Sequence, residues 1–302
     1  MIRFGGIAYE PLQGETVLDC LLRNDLAIPH SCKAGVCQSC LLRATEGVVP
    51  TTGLKDTLVA QGYFLACACV PNGDVTVKQP ERMSARIVAL DRLSENVLRV
   101  RLHTDSRMPY FAGQFVNLFR EDGLARSYSL ASLPDEDTLE IHIRRVRAGV
   151  MSGWLFDEAS PGTTIMLGGP SGDCFYVPGT PAERLLLAGS GTGLAPLYGI
   201  IRDALAHGHT GEIRLFHGGG TYLHGELKAL AASHPNFLYL DNLAEVEKTV
   251  LAEVPAAKGW KGYLCGNPGL VKSLRKKLFL SGMASRSIHS DEFAQSATTL
   301  CS

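Results

Sequence analysis

The sequence has no run of about eighteen apolar residues, the length that crosses a bilayer as a helix. Its first ten residues, MIRFGGIAYE, hold no apolar core of a signal peptide. Both absences lead to the expectation of a cytoplasmic protein without a membrane partner. No sign of charge prevails: 29 Lys and Arg face 30 Asp and Glu, a net charge of −1. A field that would gather nucleic acid or an anionic membrane surface is therefore missing. An even cysteine framework is missing too, since the count is nine. In a reducing compartment, clustered cysteines serve metal binding or redox chemistry more often than structural disulfides. Zinc-type spacing is scarce. Only Cys37 and Cys40 form a C-x2-C pair, and His207, His209, His217, His224 and His234 show no ligand spacing. Those histidines read as solvated or core residues. What remains is an ordinary globular composition, 45% hydrophobic and 20% charged, over 302 residues. That length exceeds what one hydrophobic core usually serves, so two or three domains are expected.

The densest chemistry lies in CKAGVCQSC, residues 32–40. Cys32, Cys37 and Cys40 follow C-x4-C-x2-C, the spacing of plant-type [2Fe–2S] clusters, which a distant fourth cysteine completes. A zinc ion or a disulfide fits that spacing less well. Gly35 allows a positive φ and lets backbone N–H groups approach the sulfur atoms. The fourth ligand is Cys67 or Cys69, in GYFLACACVP. In an extended segment both point to one side, so alternation does not choose between them. Cys20 falls on an expected short helix, capped by Thr16 with Asp19 three residues on, and reads as a small buried hydrophobe.

From about residue 84 the pattern has a period of two. LRVRLHT sets Leu98, Val100 and Leu102 against Arg99, Arg101 and His103, and TLEIHIRRV repeats this with Leu139, Ile141 and Ile143. These are half-buried antiparallel strands, and their number and turns suggest a small barrel. Two stretches carry chemistry. In ARSYSLAS, Arg126 suits a phosphate, Tyr128 a flat ring and Ser129 a donor to a ring nitrogen; an ordinary strand end is the alternative. In RAGVMSGWLF, Gly149 precedes Ser152, the expected N-cap of a short apolar helix. Free N–H groups at such a start bind anions, although a plain turn would look the same. A pyrophosphate cofactor would use both stretches. Arg144, Arg145 and Arg147 read as a solvated barrel face.

The last third alternates strands and helices. RLLLA, EIRLFH and GYLC are expected strands; GSGTGLAP opens a helix after the first, and GNPG opens one after the third. Strand, glycine-rich turn and helix is the dinucleotide arrangement, with phosphates on the helix N-terminus. Its glycines are Gly189, Gly191 and Gly193, while Leu194 breaks the G-x-G-x-x-G form and Pro196 falls in the first helical turn.

The first eighty residues resemble a plant-type ferredoxin, a β-grasp domain whose last ligand sits in Leu-x-Cys-x-x-x-Pro; Leu65, Cys67 and Pro71 match. That resemblance implies the ligands Cys32, Cys37, Cys40 and Cys67, with Cys69 a small buried residue. The whole chain resembles the reductase component of bacterial multicomponent oxygenases, within the ferredoxin–NAD(P) reductase superfamily. The motifs that carry it are C-x4-C-x2-C…C, Arg-x-Tyr-Ser, Gly-x-Gly-Thr-Gly-x-Ala-Pro, Cys-Gly-x-Pro and Asp-x-Phe. The implied fold is multidomain: a β-grasp ferredoxin over 1–80, an antiparallel six-stranded Greek-key FAD barrel over 84–178, and an α/β parallel-sheet NAD(P) domain over 179–302. By the same resemblance Arg126, Tyr128 and Ser129 would hold FAD, joined by Ser127 and His142 as cofactor contacts. Gly149, Val150, Met151 and Ser152 would cradle its pyrophosphate. Gly189, Gly191, Thr192, Gly193 and Pro196 would meet the nicotinamide nucleotide. Cys265 and Gly266 would flank the nicotinamide, with Asp291 and Phe293 beside the flavin. Ser129, Cys265, Asp291 and Phe293 would then form the hydride-transfer site.

The resemblance implies an enzyme that passes electrons from NADH to FAD to a [2Fe–2S] cluster and on to an oxygenase, a di-iron monooxygenase or a Rieske dioxygenase. A flavin belongs between a two-electron donor and a one-electron carrier because it handles both. A monomer is expected. Gly220 stands where the family carries an Arg, and the loops HGGG and LDNLAEVEKTV are short. Without an Arg or Lys fork for a 2′-phosphate, NADH is expected over NADPH. Two other functions share these motifs: a reductase serving a deoxysugar-forming dehydratase, and a non-catalytic redox sensor.

Overall fold

A computed structural model of the protein describes residues 1–30, 33–35, 38–50, 54, 56–220 and 222–293. Cys32, Cys37 and Thr221 lie outside the described residues.

Strands β1 (Ile2–Phe4) and β2 (Ile7–Tyr9) make a hairpin turned by Gly5 and Gly6, both at positive φ. Helix α1 (Val17–Arg23) starts as its sequence predicts: Thr16 Oγ1 accepts from the Asp19 N–H at 3.1 Å. Next come β3 (Leu41–Glu46), α2 (Asp56–Ala60), β4 (Tyr63–Leu65) and β5 (Val75–Lys78). They form a five-stranded sheet ordered β2-β1-β5-β3-β4, in which β1 and β5 are parallel and the other pairs antiparallel. This is the β-grasp arrangement. Ile2, Leu18, Leu21, Leu42 and Phe64 fill its core, with Cys20 and Cys69 fully enclosed among them. Each large side chain enclosed this way contributes about 1.5–3 kcal/mol.

The second sheet is built of β6 (Met83–Ser94), β7 (Val97–Thr104), β8 (Phe115–Phe119), β9 (Ala125–Ser129), β10 (Leu139–Arg144) and β11 (Thr164–Ser171), with helix α3 (Val150–Asp157) between the last two. All its pairs are antiparallel, in the order β10-β7-β6-β11-β8-β9. A bridge between Leu130 and Ile141 joins the two ends and closes the barrel. Leu98, Val100 and Leu102 face its core as alternation predicts. Strand β10 departs from the half-solvated expectation. Glu140 and His142, on its outer face, are buried as well as Leu139, Ile141 and Ile143. The next domain covers that face, which a local pattern does not reveal.

The third sheet is parallel throughout: β12 (Arg184–Ser190), β13 (Ile213–Gly218), β14 (Phe237–Leu243), β15 (Trp260–Gly266) and β16 (Ile288–Glu292), ordered β14-β13-β12-β15-β16. Helices α4 (Leu194–Ala206), α5 (His224–Ser233), α6 (Val246–Glu253) and α7 (Pro268–Leu280) connect the strands. One hydrophobic cluster, around Leu187, Leu197, Ile200 and Leu215, lies on one side of the sheet; another, around Leu186, Phe216, Leu264 and Leu274, lies on the other. Both faces of the parallel sheet are thus covered, and its strands read as continuous apolar runs for that reason. No helix among the described residues is long and apolar enough to cross a membrane.

Candidate functional site

Around the cysteines, the chain turns rather than running extended. Ala66–Ala68 forms a 3-10 turn after β4, so Cys67 and Cys69 do not share a side. Cys69 is fully buried in the ferredoxin core, and burial pushes its thiol up to about 11. Cys67 is half-buried. Its sulfur takes a hydrogen bond from Cys40 and another from the Gly35 N–H, which bring it down to about 6 against the opposing effect of burial. Gly35 has φ +74°, the backbone freedom anticipated for it. A thiolate held by a neighbouring cysteine and a backbone donor suits an iron ligand. Cys40 and Cys67 therefore fit a [2Fe–2S] cluster and Cys69 does not; Cys32 and Cys37 fall outside the described residues.

On the barrel, β9 carries Arg126, Ser127, Tyr128 and Ser129. Arg126 donates to the Ala125 carbonyl at 2.7 Å and makes no ion pair among the described residues. It borders a cleft of about 440 Å³ whose other wall is Leu22, Ala27, Ile28 and His30 of the ferredoxin domain. Helix α3 corrects one expectation. Its N-cap is Gly149, not Ser152, and no side chain caps it. Ala148 at φ +55° turns the chain one residue earlier, and the Ser152 hydroxyl is used locally. It accepts from the Val146 N–H at 3.1 Å and donates to the Gly149 carbonyl at 3.2 Å. A Cβ on Gly149 would stand 2.6 Å from that hydroxyl, so glycine is required there. The uncapped start at Val150 and Met151 leaves backbone N–H groups for an anion, and Arg126 on β9 is a cation with no ion pair among the described residues. These features fit the pyrophosphate of a flavin dinucleotide.

Ser129 and Asp291 lie 162 positions apart in sequence, yet the Ser129 hydroxyl donates to Asp291 Oδ2 at 3.0 Å. Burial raises the Asp291 carboxyl to about 6, although the Ser129 hydrogen bond pulls the other way. Strand β16 places Asp291 beside Cys265 of β15, and the Phe293 N–H donates to the Gly266 carbonyl at 2.8 Å. Ser129, Cys265, Gly266, Asp291 and Phe293 are thus brought together. Cys265 is fully buried, 3.5 Å from Cys174 in Sγ–Sγ distance, and burial holds its thiol far above the ordinary value. Gly266, at φ +113°, leaves no room for a side chain, since a Cβ would meet the Ser190 carbonyl at 2.6 Å.

The glycine turn after β12 packs directly on this group. A Cβ on Gly193 would stand 2.4 Å from the Cys265 carbonyl, and one on Gly189 2.9 Å from it. Pro196 sits in the first turn of α4, as expected. Two residues at this turn escaped sequence reasoning. His217, fully buried at the end of β13, donates from Nε2 to the Gly191 carbonyl at 2.9 Å. Burial keeps its ring below the usual pKa and neutral. Arg144, read as part of a solvated face, is exposed but reaches across to Gly191, where a Cβ would lie 3.5 Å from its Nη1. No motif spacing signals either role. His142 is not brought to the group. It is buried with Nε2 2.9 Å from Glu140 Oε1 and stands edge-on to Tyr222. Burial would raise Glu140, but His142, Arg99 and Arg101 hold it down to about 2, and Arg99 also pairs with Glu226 of α5 at 3.1 Å. This network joins the barrel to the nucleotide domain.

Comparison with known proteins gives two matching domain families. Residues 6–72 match a 2Fe-2S iron-sulfur cluster binding domain, and residues 84–176 an oxidoreductase FAD-binding domain. The chain is 34% identical to the reductase subunit of an aromatic O-demethylase from an Amycolatopsis species, over 97% of this chain and 98% of that one. It is 30% identical to the ferredoxin–NAD(P)(+) reductase component of the naphthalene 1,2-dioxygenase system of Pseudomonas putida, over 93% and 94% of the two chains. Among solved structures it is similar to the Amycolatopsis cytochrome P450 reductase GcoB, with a TM-score of 0.70 and 33% identity over 97% of this chain and 98% of that one.

Proposed function

Because the chain belongs to the family of reductase components that join a [2Fe–2S] ferredoxin to a FAD-binding oxidoreductase module, we propose that it takes electron pairs from NADH and hands them singly to an oxygenase. The observation that carries this reading is the convergence of Ser129, Cys265, Gly266, Asp291 and Phe293 from two domains. When bound, FAD accepts hydride and the cluster carries one electron at a time. Arg126 and the start of α3 would bind the dinucleotide's phosphates. Ser129 and Asp291 would hold a proton between Oγ and Oδ2 and orient the ring edge. Buried Cys265 and the close-packed glycines Gly189 and Gly193 would keep water from the hydride path and let the nucleotide approach it. Cys32, Cys37, Cys40 and Cys67 would hold the cluster.

The division at 1–80, 84–178 and 179–302 is part of this reading, supported by separate cores for the ferredoxin segment and the barrel, while the core of the nucleotide domain also takes in Val97, Ala131, Cys174 and Tyr176. A monomer suffices, since every residue named comes from one chain. NADH is the donor in this reading because Gly218, Gly219 and Gly220 leave no cation at the end of β13. The test is an anaerobic titration of the purified protein with NADH. The flavin and cluster together take three electrons, so about one and a half equivalents should bleach both the flavin bands and the broad iron–sulfur absorbance. A protein that binds both groups but is reduced by neither NADH nor NADPH would leave only the sensor reading.

A further inference from the structure

Ser39 stands between Cys37 and Cys40 in sequence, yet its hydroxyl meets the barrel. It donates to Asn117 Oδ1 at 3.2 Å and lies 3.1 Å from Ser127 Oγ; Ser127 in turn donates to Asn117 Oδ1 at 2.6 Å. Ser39 and Asn117 are only 4% and 5% exposed. Asn117 and Ser127 are direct partners across β8 and β9. The trio therefore ties the residue beside Cys40 to the residue between Arg126 and Tyr128. A second contact supports the same seating: a Cβ on Gly123 of the barrel would lie 3.3 Å from Ala27 Cβ of the ferredoxin domain.

Water would satisfy these polar groups if the domains parted, so their net contribution to affinity is modest. Their value is directional. Two hydroxyls converging on one carbonyl oxygen favour a single orientation of the cysteine loop, and a wrong seating would leave buried polar atoms unpaired.

We propose that Asn117 is a positioning residue for electron transfer, whose side-chain carbonyl docks the cysteine loop on the Arg-x-Tyr-Ser strand in one orientation. This rests on the function proposed above. Each hydride carries two electrons and one proton. The proton leaves to water, and the electrons cross between the domains one after the other with no bond made or broken. Each crossing weakens steeply with distance, so a loop that rocks on the barrel passes electrons slowly.

The test uses the full chain loaded with both cofactors and the variants Asn117→Ala, Asn117→Asp, Ser39→Ala and the double variant Ser39→Ala/Asn117→Ala. Anaerobic rapid mixing with NADH follows flavin bleaching and then cluster bleaching. Steady-state ferricyanide reduction reports hydride transfer alone, and hydrogen exchange over residues 38–46 reports docking. Asn117→Ala should slow cluster bleaching about tenfold, the size of effect expected from a lost buried acceptor. It should leave flavin content and ferricyanide activity as in the parent protein and raise exchange over 38–46. Asn117→Asp, which keeps an acceptor oxygen in place, should recover most of the rate. The double variant should be no slower than the slower single variant, since both remove one contact. Unchanged cluster bleaching in Asn117→Ala overturns the proposal. So does a parallel loss of flavin or ferricyanide activity, which would make Asn117 part of the flavin site, and so does an additive double variant. If NADH fails to reduce the parent protein, the proposed function falls. Exchange then decides docking alone: a rise over 38–46 in Asn117→Ala supports it, and no change overturns it.

Discussion

At the scale of single residues, the contrast between Cys67 and Cys69 is the sharpest. One sulfur sits among donors and the other in a hydrophobic core, two positions away. Cys67→Ser should lose most of the acid-labile sulfide and iron of the purified protein. Cys69→Ser should retain the cluster and lose stability, because it buries a hydroxyl among Leu18, Phe64 and their neighbours; about 1–3 kcal/mol is expected. Chemical iron and sulfide assays with thermal melts check both. Asp291 gives a pH signature. Its carboxyl is raised from 3.8 to about 6 in the folded protein, so the native state binds that proton more tightly than the unfolded chain. The stability it contributes is present below about pH 4 and is lost as pH rises through about 6. Asp291→Asn should therefore flatten the melting temperature over that window. It should also remove a transition near pH 6 from kcat/KM for NADH; a transition that survives assigns it to another group.

At the scale of elements, the turn between β12 and α4 is the most constrained. Gly189 and Gly193 press against the Cys265 carbonyl so closely that even a methyl group has no place. Gly193→Ala should cost about 1–3 kcal/mol through overpacking and displace Cys265. The readouts are a lower melting temperature and a kcat that falls with flavin content unchanged. The end of β13 carries the expectation for the nucleotide. Gly219 and Gly220 adopt positive φ in a short turn, and no Lys or Arg from that turn can fork a 2′-phosphate. NADH should be preferred over NADPH by about tenfold or more in kcat/KM, the weight of one missing charge-assisted contact. Parallel steady-state assays decide it, and a preference for NADPH would mean that Arg144 or another distant cation supplies the charge.

At the scale of the whole molecule, hydride chemistry and single-electron chemistry occupy different domains with different cores. Cys40→Ser should remove the cluster and leave the barrel and nucleotide domain folded. The variant should keep most of its NADH–ferricyanide activity, because that small acceptor draws on the flavin site. It should lose most of its activity toward cytochrome c, a protein acceptor that needs the cluster as a relay. Loss of both together would show that the domains do not work separately. Undiminished cytochrome c reduction would take the cluster off the path.

The sequence by itself determined the order of domains, the cysteine spacing, the Arg-x-Tyr-Ser strand and the glycine turn, because each depends on neighbours within about ten residues. Thr16 capping α1 and Pro196 in the first turn of α4 belong to the same class. Only the tertiary structure decided what depends on contacts between distant segments. The Leu65–Cys67–Pro71 context had already singled out Cys67, but the 3-10 turn that parts it from Cys69 is something alternation does not encode. The tertiary structure moved the cap of α3 to Gly149 because Ala148 turns early. It buried both faces of β10, enclosing Glu140 and His142, by laying a second domain on the barrel. It also set Asn117 against Ser39, and Asp291 against Ser129, across 78 and 162 positions. A local pattern records which face of a strand is apolar; what comes to rest on the polar face is settled only when the domains pack.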